Sequence, residues 1–204
     1  MIKNIIFDFG GVLYDIDYEL TANKLSEHSS IAKDVITLDE MLEIPDQFER
    51  GLISDYDFRV HLRNTFGIYD ISDAQLDEIW NFMLIGIKSD AIDFIKNIKQ
   101  EYNVALLSNT NSIHYEKFHR ETVDLENQFT HLFFSHFIKM RKPDIEIYNY
   151  VCNNCRFNPE ETLFIDDNLI NVKGAISANL KAYHCKRNGN LSELFNTIKI
   201  ITHT

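Results

Sequence analysis

Five short apolar runs, separated by stretches of helical periodicity, leave this chain few ways to fold. They are IKNIIFD (2–8), NVALLSNT (103–110), LFFS (132–135), LFID within ETLFIDDN (162–166), and LKAYHC (180–185). Each is too short for a helix and ends abruptly on polar residues or glycine, as buried strands do. Between them lie SDAIDFIKNIKQ, with Ala91, Phe94, Ile95 and Ile98 on one face, a helix near 112–120, PDIEIYNYVCNNC and NLINVKGAISAN. Pro143 suits the first turn of its helix. An Asn-Gly turn at 188–189 precedes a last helix. Strands alternating with helices predict an α/β fold, a Rossmann-like three-layer core around a parallel sheet.

Residues 17–85 break this rhythm. They read as helices throughout: DYELTANKLSEH, a second near 31–43, DQFER closed by Gly51, SDYDFRVHLRNTF capped by Ser54 and closed by Gly67, and SDAQLDEIWNFML capped by Ser72 or Asp73. The expected division is therefore a core of 1–16 and 86–204 with an all-helical insertion at 17–85 after the first strand.

With 31 acidic and 20 basic side chains, the formal charge is −11. Such a surface disfavours nucleic acid and anionic membrane as partners. An anionic substrate is still compatible with it, because a cation and a few donors reverse the potential inside one pocket. No signal peptide or membrane span is legible, so a reduced, cytoplasmic setting is expected. The CNNC pair, Cys152 and Cys155, lies with Tyr148 and Val151 on one apolar helix face and is read as packing. His114, His119, His131 and His136 form no ligand pattern and are read as loop or surface residues.

In open α/β sheets, ligands bind beyond the carboxyl ends of the strands. Four polar clusters stand there: Asp8 after IIF, Ser108 after VALL, Lys142 after SHFIKMR, and Asp166–Asp167 after LFI. Three facing carboxylates repel one another, and a hard divalent cation relieves that; oxygen-only ligands favour magnesium. Lysine, hydroxyl and the amides opening the helix after Asn109 suit a phosphoryl group. Taken singly each residue has a plainer role: strand end for Asp8, helix cap for Ser108 and Asp167, solvated lysine for Lys142. Arg141 has no argument beyond adjacency and is read as surface.

FDFGGVL, LLSNT, MRKP and FIDDN, in that order, resemble the four motifs of the haloacid dehalogenase superfamily, and the resemblance covers nearly the whole chain. FERGLIS, LLSNTN, MRKPDIEIY and FIDDN are similar to the bacterial α-D-glucose-1-phosphate phosphatase branch. The resemblance implies a Rossmann-like core with a helical cap and a magnesium-dependent phosphatase of a small phosphorylated metabolite, such as a hexose 1-phosphate. Asp8 would attack phosphorus and form an aspartyl-phosphate. Magnesium would be held by Asp8, the Gly10 carbonyl and Asp167, with Asp166 close by or acting through water. Ser108 and the Asn109 amide would hold phosphate oxygens, and Lys142 would bridge nucleophile and phosphate. Gly10 and Gly11 would let the backbone bend so that a carbonyl reaches the metal.

One position departs from the pattern. Gly10 stands where the usual phosphatase carries a second aspartate, the acid for the leaving oxygen. A sugar 1-phosphate leaves more readily and needs less protonation. Asp15 or Asp17 could instead supply the acid, although linker and helix-cap roles suit both better. The rival functions are a metabolite-binding regulatory protein, a metal-independent haloacid dehalogenase and a phosphosugar mutase. The paired acids Asp166–Asp167 argue against the dehalogenase, and Gly10 against the mutase. Within the cap, Gln47, Phe48, Glu49 and Arg50 could face the site, but Glu49–Arg50 is read as a surface ion pair. Trp80 and Phe82 are read as core or cap-packing residues.

Overall fold

The computed structural model describes residues 1–30 and 45–203. In chain order the elements are β1 (Asn4–Phe7), β2 (Tyr14–Ile16), α1 (Tyr18–His28), α2 (Pro45–Glu49), α3 (Asp55–Phe66), α4 (Asp73–Trp80), β3 (Leu84–Ile87), α5 (Ala91–Ile98) and β4 (Asn103–Ser108). Then follow α6 (Ser112–Glu126), β5 (His131–Phe134), α7 (Ser135–Ile138), α8 (Ile145–Cys155), β6 (Thr162–Asp166), α9 (Leu169–Ser177), β7 (Lys181–His184) and α10 (Leu191–His203). Among the described residues, β5-β4-β1-β6-β7 form a parallel sheet. The helix read near 31–43 lies outside the described residues.

The sheet is the middle of three layers because its strands are apolar on both faces. Ile5, Phe7, Leu106, Leu163 and Ile165 point to one side, against Phe94, Ile95 and Ile98 of α5 and Leu191, Leu194 and Ile198 of α10. Ile6, Ala105, Leu107 and Phe164 point to the other, against Ile147, Tyr148, Val151 and Cys152 of α8 and Ala175 of α9. The period-2 alternation of strand side chains produces this split. Each large apolar side chain buried here contributes about 1.5–3 kcal/mol. The cysteines serve that packing: all three are free and buried, and burial pushes the Cys152 thiol up to about 11.

The helical stretch builds a separate apolar cluster of Leu25, Phe48, Phe58, Leu62, Phe66, Leu76 and Trp80, with Ile113 of α6 reaching into it. Its helix ends follow the local sequence. Ser54 caps α3, and Gly67 closes it with φ 63°. Ser72 and Gln75 form a reciprocal capping box on α4.

Several expectations shift in detail. Helix α6 runs to Glu126, past the expected end near 120. Ser135 opens α7 and does not belong to β5. Pro143 stands before α8, whose N-cap is Asp144. An antiparallel pair, β2 with β3, flanks the helical stretch. It went unread because three- and four-residue strands carry too little alternation to stand out. Among the described residues, no helix is long and apolar enough to cross a membrane.

Candidate active site

The register of the three central strands brings the polar clusters together. Phe7 pairs with Leu106 on one side and Ile165 on the other. The next residue, Asp8, thus lies between the ends of β4 and β6, and its amide donates to the Ile165 carbonyl at 2.9 Å. Asp8, Asp166 and Asp167 each offer an oxygen, and these oxygens lie within 4.8 Å of one another.

Lys142 enters this cluster from the loop before α8 and is only 1% exposed. Its Nζ donates to Asp8 Oδ1 at 2.6 Å, Asp166 Oδ2 at 2.7 Å and the Leu107 carbonyl at 3.0 Å. An ammonium has three donors, and all three are satisfied. The loop is fixed by Asn109, whose side chain accepts from the Lys142 amide at 3.0 Å and donates to the Lys142 carbonyl at 2.9 Å. Burial works against the Lys142 charge, but Asp166 and Asp8 outweigh it and hold its pKa above the usual lysine value. Asp8 moves the other way. Burial first, then the Asp166 charge, lift it to about 8 against the pull of Lys142.

The two neighbouring acids do different work. Asp166 is saturated: Oδ1 accepts from the Asn168 amide at 2.7 Å, while Oδ2 takes Lys142 and Asn171 Nδ2, the latter at 3.0 Å. Asp167 lines the open cavity and pairs with Arg187. Gly11 explains the tight approach here. Its φ is 77°, and a Cβ at that position would come within 2.6 Å of Asp167 Oδ2. Gly10 has no such constraint; a Cβ there would meet only Ile16, at 3.4 Å. The backbone bend expected of both glycines therefore rests on Gly11.

These residues open onto a cavity of about 420 Å³. Ser108 and Asn109 line it from β4, Gly10 and Asp8 from β1, and Tyr14, Ile16 and Tyr18 from the strand-to-helix segment. The alternation of β2 turns Asp15 and Asp17 away. Asp15 pairs with Lys88 at 3.1 Å, and Asp17 caps α1 by accepting from the Glu19 amide. Both acids thus take the linker and cap roles. Asn188 ties this segment down, its side chain donating to the Ile16 carbonyl at 2.8 Å and its amide to the Gly11 carbonyl at 2.8 Å.

Several residues read as surface turn inward. Arg141 lines the cavity and pairs with Glu49 and Asp46. Glu49 therefore does not pair with Arg50, which bonds Asp46 and Asp144 instead. Successive residues at a helix end splay apart and do not face each other. His114 is buried, stacks on Trp80 with centroids 5.3 Å apart, and has Nδ1 2.8 Å from Asn81 Oδ1. Burial pushes its pKa down to about 3. His136 is buried too, and burial followed by the Lys139 charge pushes it down to about 4. Trp80 packs as expected, whereas Phe82 is 41% exposed. Adjacency to Lys142 was the only signal for Arg141, and Arg187 had none.

A parallel sheet whose central strands deliver three carboxylates to one crevice, met there by a buried lysine from the loop before α8, defines an α/β enzyme working at its carboxyl edge. The chain belongs to the haloacid dehalogenase-like hydrolase family, whose model matches residues 2–179. It is 30% identical over 179 residues to a D-ribitol-5-phosphate phosphatase of Bacteroides thetaiotaomicron, spanning 84% of this chain and 86% of the relative. It is also 30% identical over 186 residues to a sesquiterpene phosphatase of Aspergillus oryzae, spanning 89% of each. A solved structure of a family enzyme from Bacteroides thetaiotaomicron, in complex with magnesium and inorganic phosphate, superposes with a TM-score of 0.83. It is 34% identical and covers 96% of this chain and 100% of its own.

Proposed function

We propose that this protein is a magnesium-dependent phosphatase of small phosphorylated metabolites, with Asp8 as the nucleophile. The observation that carries the reading is the buried Lys142, bonded at once to Asp8 and Asp166 beside the cavity-facing Asp167. The donor set fits a hard cation: it is all oxygen, closely spaced and crowded with negative charge. Asp8, the Gly10 carbonyl and Asp167 would hold magnesium, and Asp166 would support the site from behind by fixing Lys142. Bound there, the cation would supply charge neutralisation for the phosphoryl oxygens.

The protein's own groups do the rest. Ser108 and the Asn109 amide orient two phosphate oxygens, and Lys142 steadies the charge that grows on the phosphoryl group. An Asp8 oxygen forms the bond to phosphorus, and water later cleaves the aspartyl-phosphate. The described helices within residues 17–85 act as a cap over the cavity, which Tyr18, Glu49 and Trp80 line. The D-ribitol-5-phosphate phosphatase relative supports a phosphorylated sugar or polyol, with hexose 1-phosphates a further class to test.

The test is hydrolysis of p-nitrophenyl phosphate and a panel of sugar and polyol phosphates, with and without magnesium. Turnover that is abolished by chelation and restored by the metal is expected. Activity surviving exhaustive chelation removes the magnesium assignment. Phosphate esters that bind without turnover identify a binding protein instead.

A further inference from the structure

The reaction proposed above leaves one proton unaccounted for. An alkyl leaving oxygen needs an acid, and Gly10 carries none. Among the described residues, the carboxyl groups lining the cavity are Asp8, Asp167 and Glu49. Asp8 is the nucleophile and Asp167 belongs to the cation. Asp15 and Asp17 face away, and Asp166 has both oxygens occupied.

Glu49 lines the same cavity from the end of α2, outside the parallel sheet. In-line displacement sets the leaving oxygen opposite the attacking Asp8 oxygen, so its acid has to come from outside the Asp8 strand. Glu49 Oε2 accepts from Arg141 Nε at 2.5 Å, whereas Oε1 has no hydrogen-bond partner among the described residues. Its backbone is held firmly. Arg50 donates to Asp144 at 2.6 Å, and Lys139 Nζ donates to the Gly51 carbonyl at 2.5 Å. At Gly51, φ is 59° and a Cβ would lie 2.4 Å from the His136 carbonyl oxygen, so the chain there is pressed against the core. It presses on His136 of α7 and on the Lys139 side chain, and from the Lys139 C-cap the chain runs on to Lys142. The segment is thus tied to the stretch 136–144 that carries Lys142.

We propose that Glu49 is the acid–base residue of this active site, taking the role left vacant at Gly10. The inference rests on the phosphatase reading. In the first half-reaction, an Asp8 oxygen bonds to phosphorus as the bond from phosphorus to the leaving oxygen breaks. The electron pair stays on that oxygen, which takes the proton from Glu49 Oε1. In the second, water attacks phosphorus, the bond to Asp8 breaks, and the water proton passes to Glu49. Burial favours the protonated starting form by raising Glu49, with Arg141 and Lys142 opposing and Asp46 assisting. Tyr18, the remaining ionisable neighbour, is itself lifted by burial and stays a neutral phenol.

The test compares leaving groups in Glu49→Gln with magnesium present. For an alkyl ester such as ribitol 5-phosphate, kcat is expected to fall by about 10²–10⁴-fold with KM little changed, the usual weight of general acid catalysis. For p-nitrophenyl phosphate, whose phenolate departs unprotonated, a rapid burst of about one equivalent is expected, followed by slow turnover. Glu49→Asp, which keeps an acid on a shorter arm, should retain more alkyl-ester activity than Glu49→Gln. Equal losses on both esters without a burst, or a rise in KM alone, overturn the proposal. If the wild type hydrolyses neither ester, the phosphatase reading fails and this one fails with it; wild-type turnover isolates Glu49.

Discussion

Two charged assemblies meet at the cavity, and they are built on opposite principles. Around Lys142 every group is buried: the lysine side chain is 1% exposed and Asp166 0%. At the seam between α2 and the 139–144 loop, the pairs are half in water: the Arg50 side chain is 22% exposed and Asp144 39%. Buried charges stripped of a partner are costly, while solvated pairs are worth little because water competes for both ends. The buried assembly therefore fixes geometry strongly, while the ion pairs of the seam add little to the hold that the packing of Gly51 on His136 gives α2.

The largest effect tests the first half of that contrast. Asp8→Asn is expected to lose at least about 10⁴-fold in turnover, the scale on which nucleophile deletions act. Its unfolding transition should stay at or above that of the wild type without metal, since the amide removes one of three crowded carboxylates. Activity near wild type would remove Asp8 from its role. Lys142→Ala comes next. It strands Asp8 and Asp166 without their counter-charge, and a loss of about 3–5 kcal/mol is expected in urea unfolding. A loss below about 1 kcal/mol would make the network no stronger than a surface pair.

A smaller effect comes from His114, where the helical cluster meets α6. Its folded pKa, about 3, lies below the unfolded value of 6.5. The unfolded chain therefore binds more protons between these values. Stability is fully present above 6.5 and falls as pH drops toward the folded value. Going from pH 6.5 to about 5 should cost about 2 kcal/mol through this residue, and His114→Gln should flatten that slope. An unchanged slope would show that the ring is not held neutral. The smallest effect belongs to the seam: a double-mutant cycle on Arg50→Ala and Asp144→Ala should give a coupling of about 0.2–1 kcal/mol. A value above about 2 kcal/mol would erase the contrast between the two assemblies.

The residues of the buried network were legible because each sits where an apolar run turns polar. Ser108 and Asp166 end their strands, Asp8 directly follows β1, and the parallel register carries them to one edge. The seam was not legible. Glu49 and Arg141 are 92 positions apart, and nothing periodic marks them as partners. Nor does composition tell that His114 turns inward at the first turn of α6 to stack on Trp80. The β2–β3 pair escaped for a different reason, being too short for its alternation to register.

Local pattern thus determined the sheet, its helical layers and the edge at which carboxylates and lysine gather. A strand's faces and its end are set by a handful of adjacent residues, and that information is in the chain itself. Tertiary structure alone decided the division of labour: Asp166 turned in to Lys142, Asp167 out to the cavity, Glu49 set against Arg141. Charge pairing depends on distance and exposure after folding, and neighbours along the chain at a strand or helix end point in different directions.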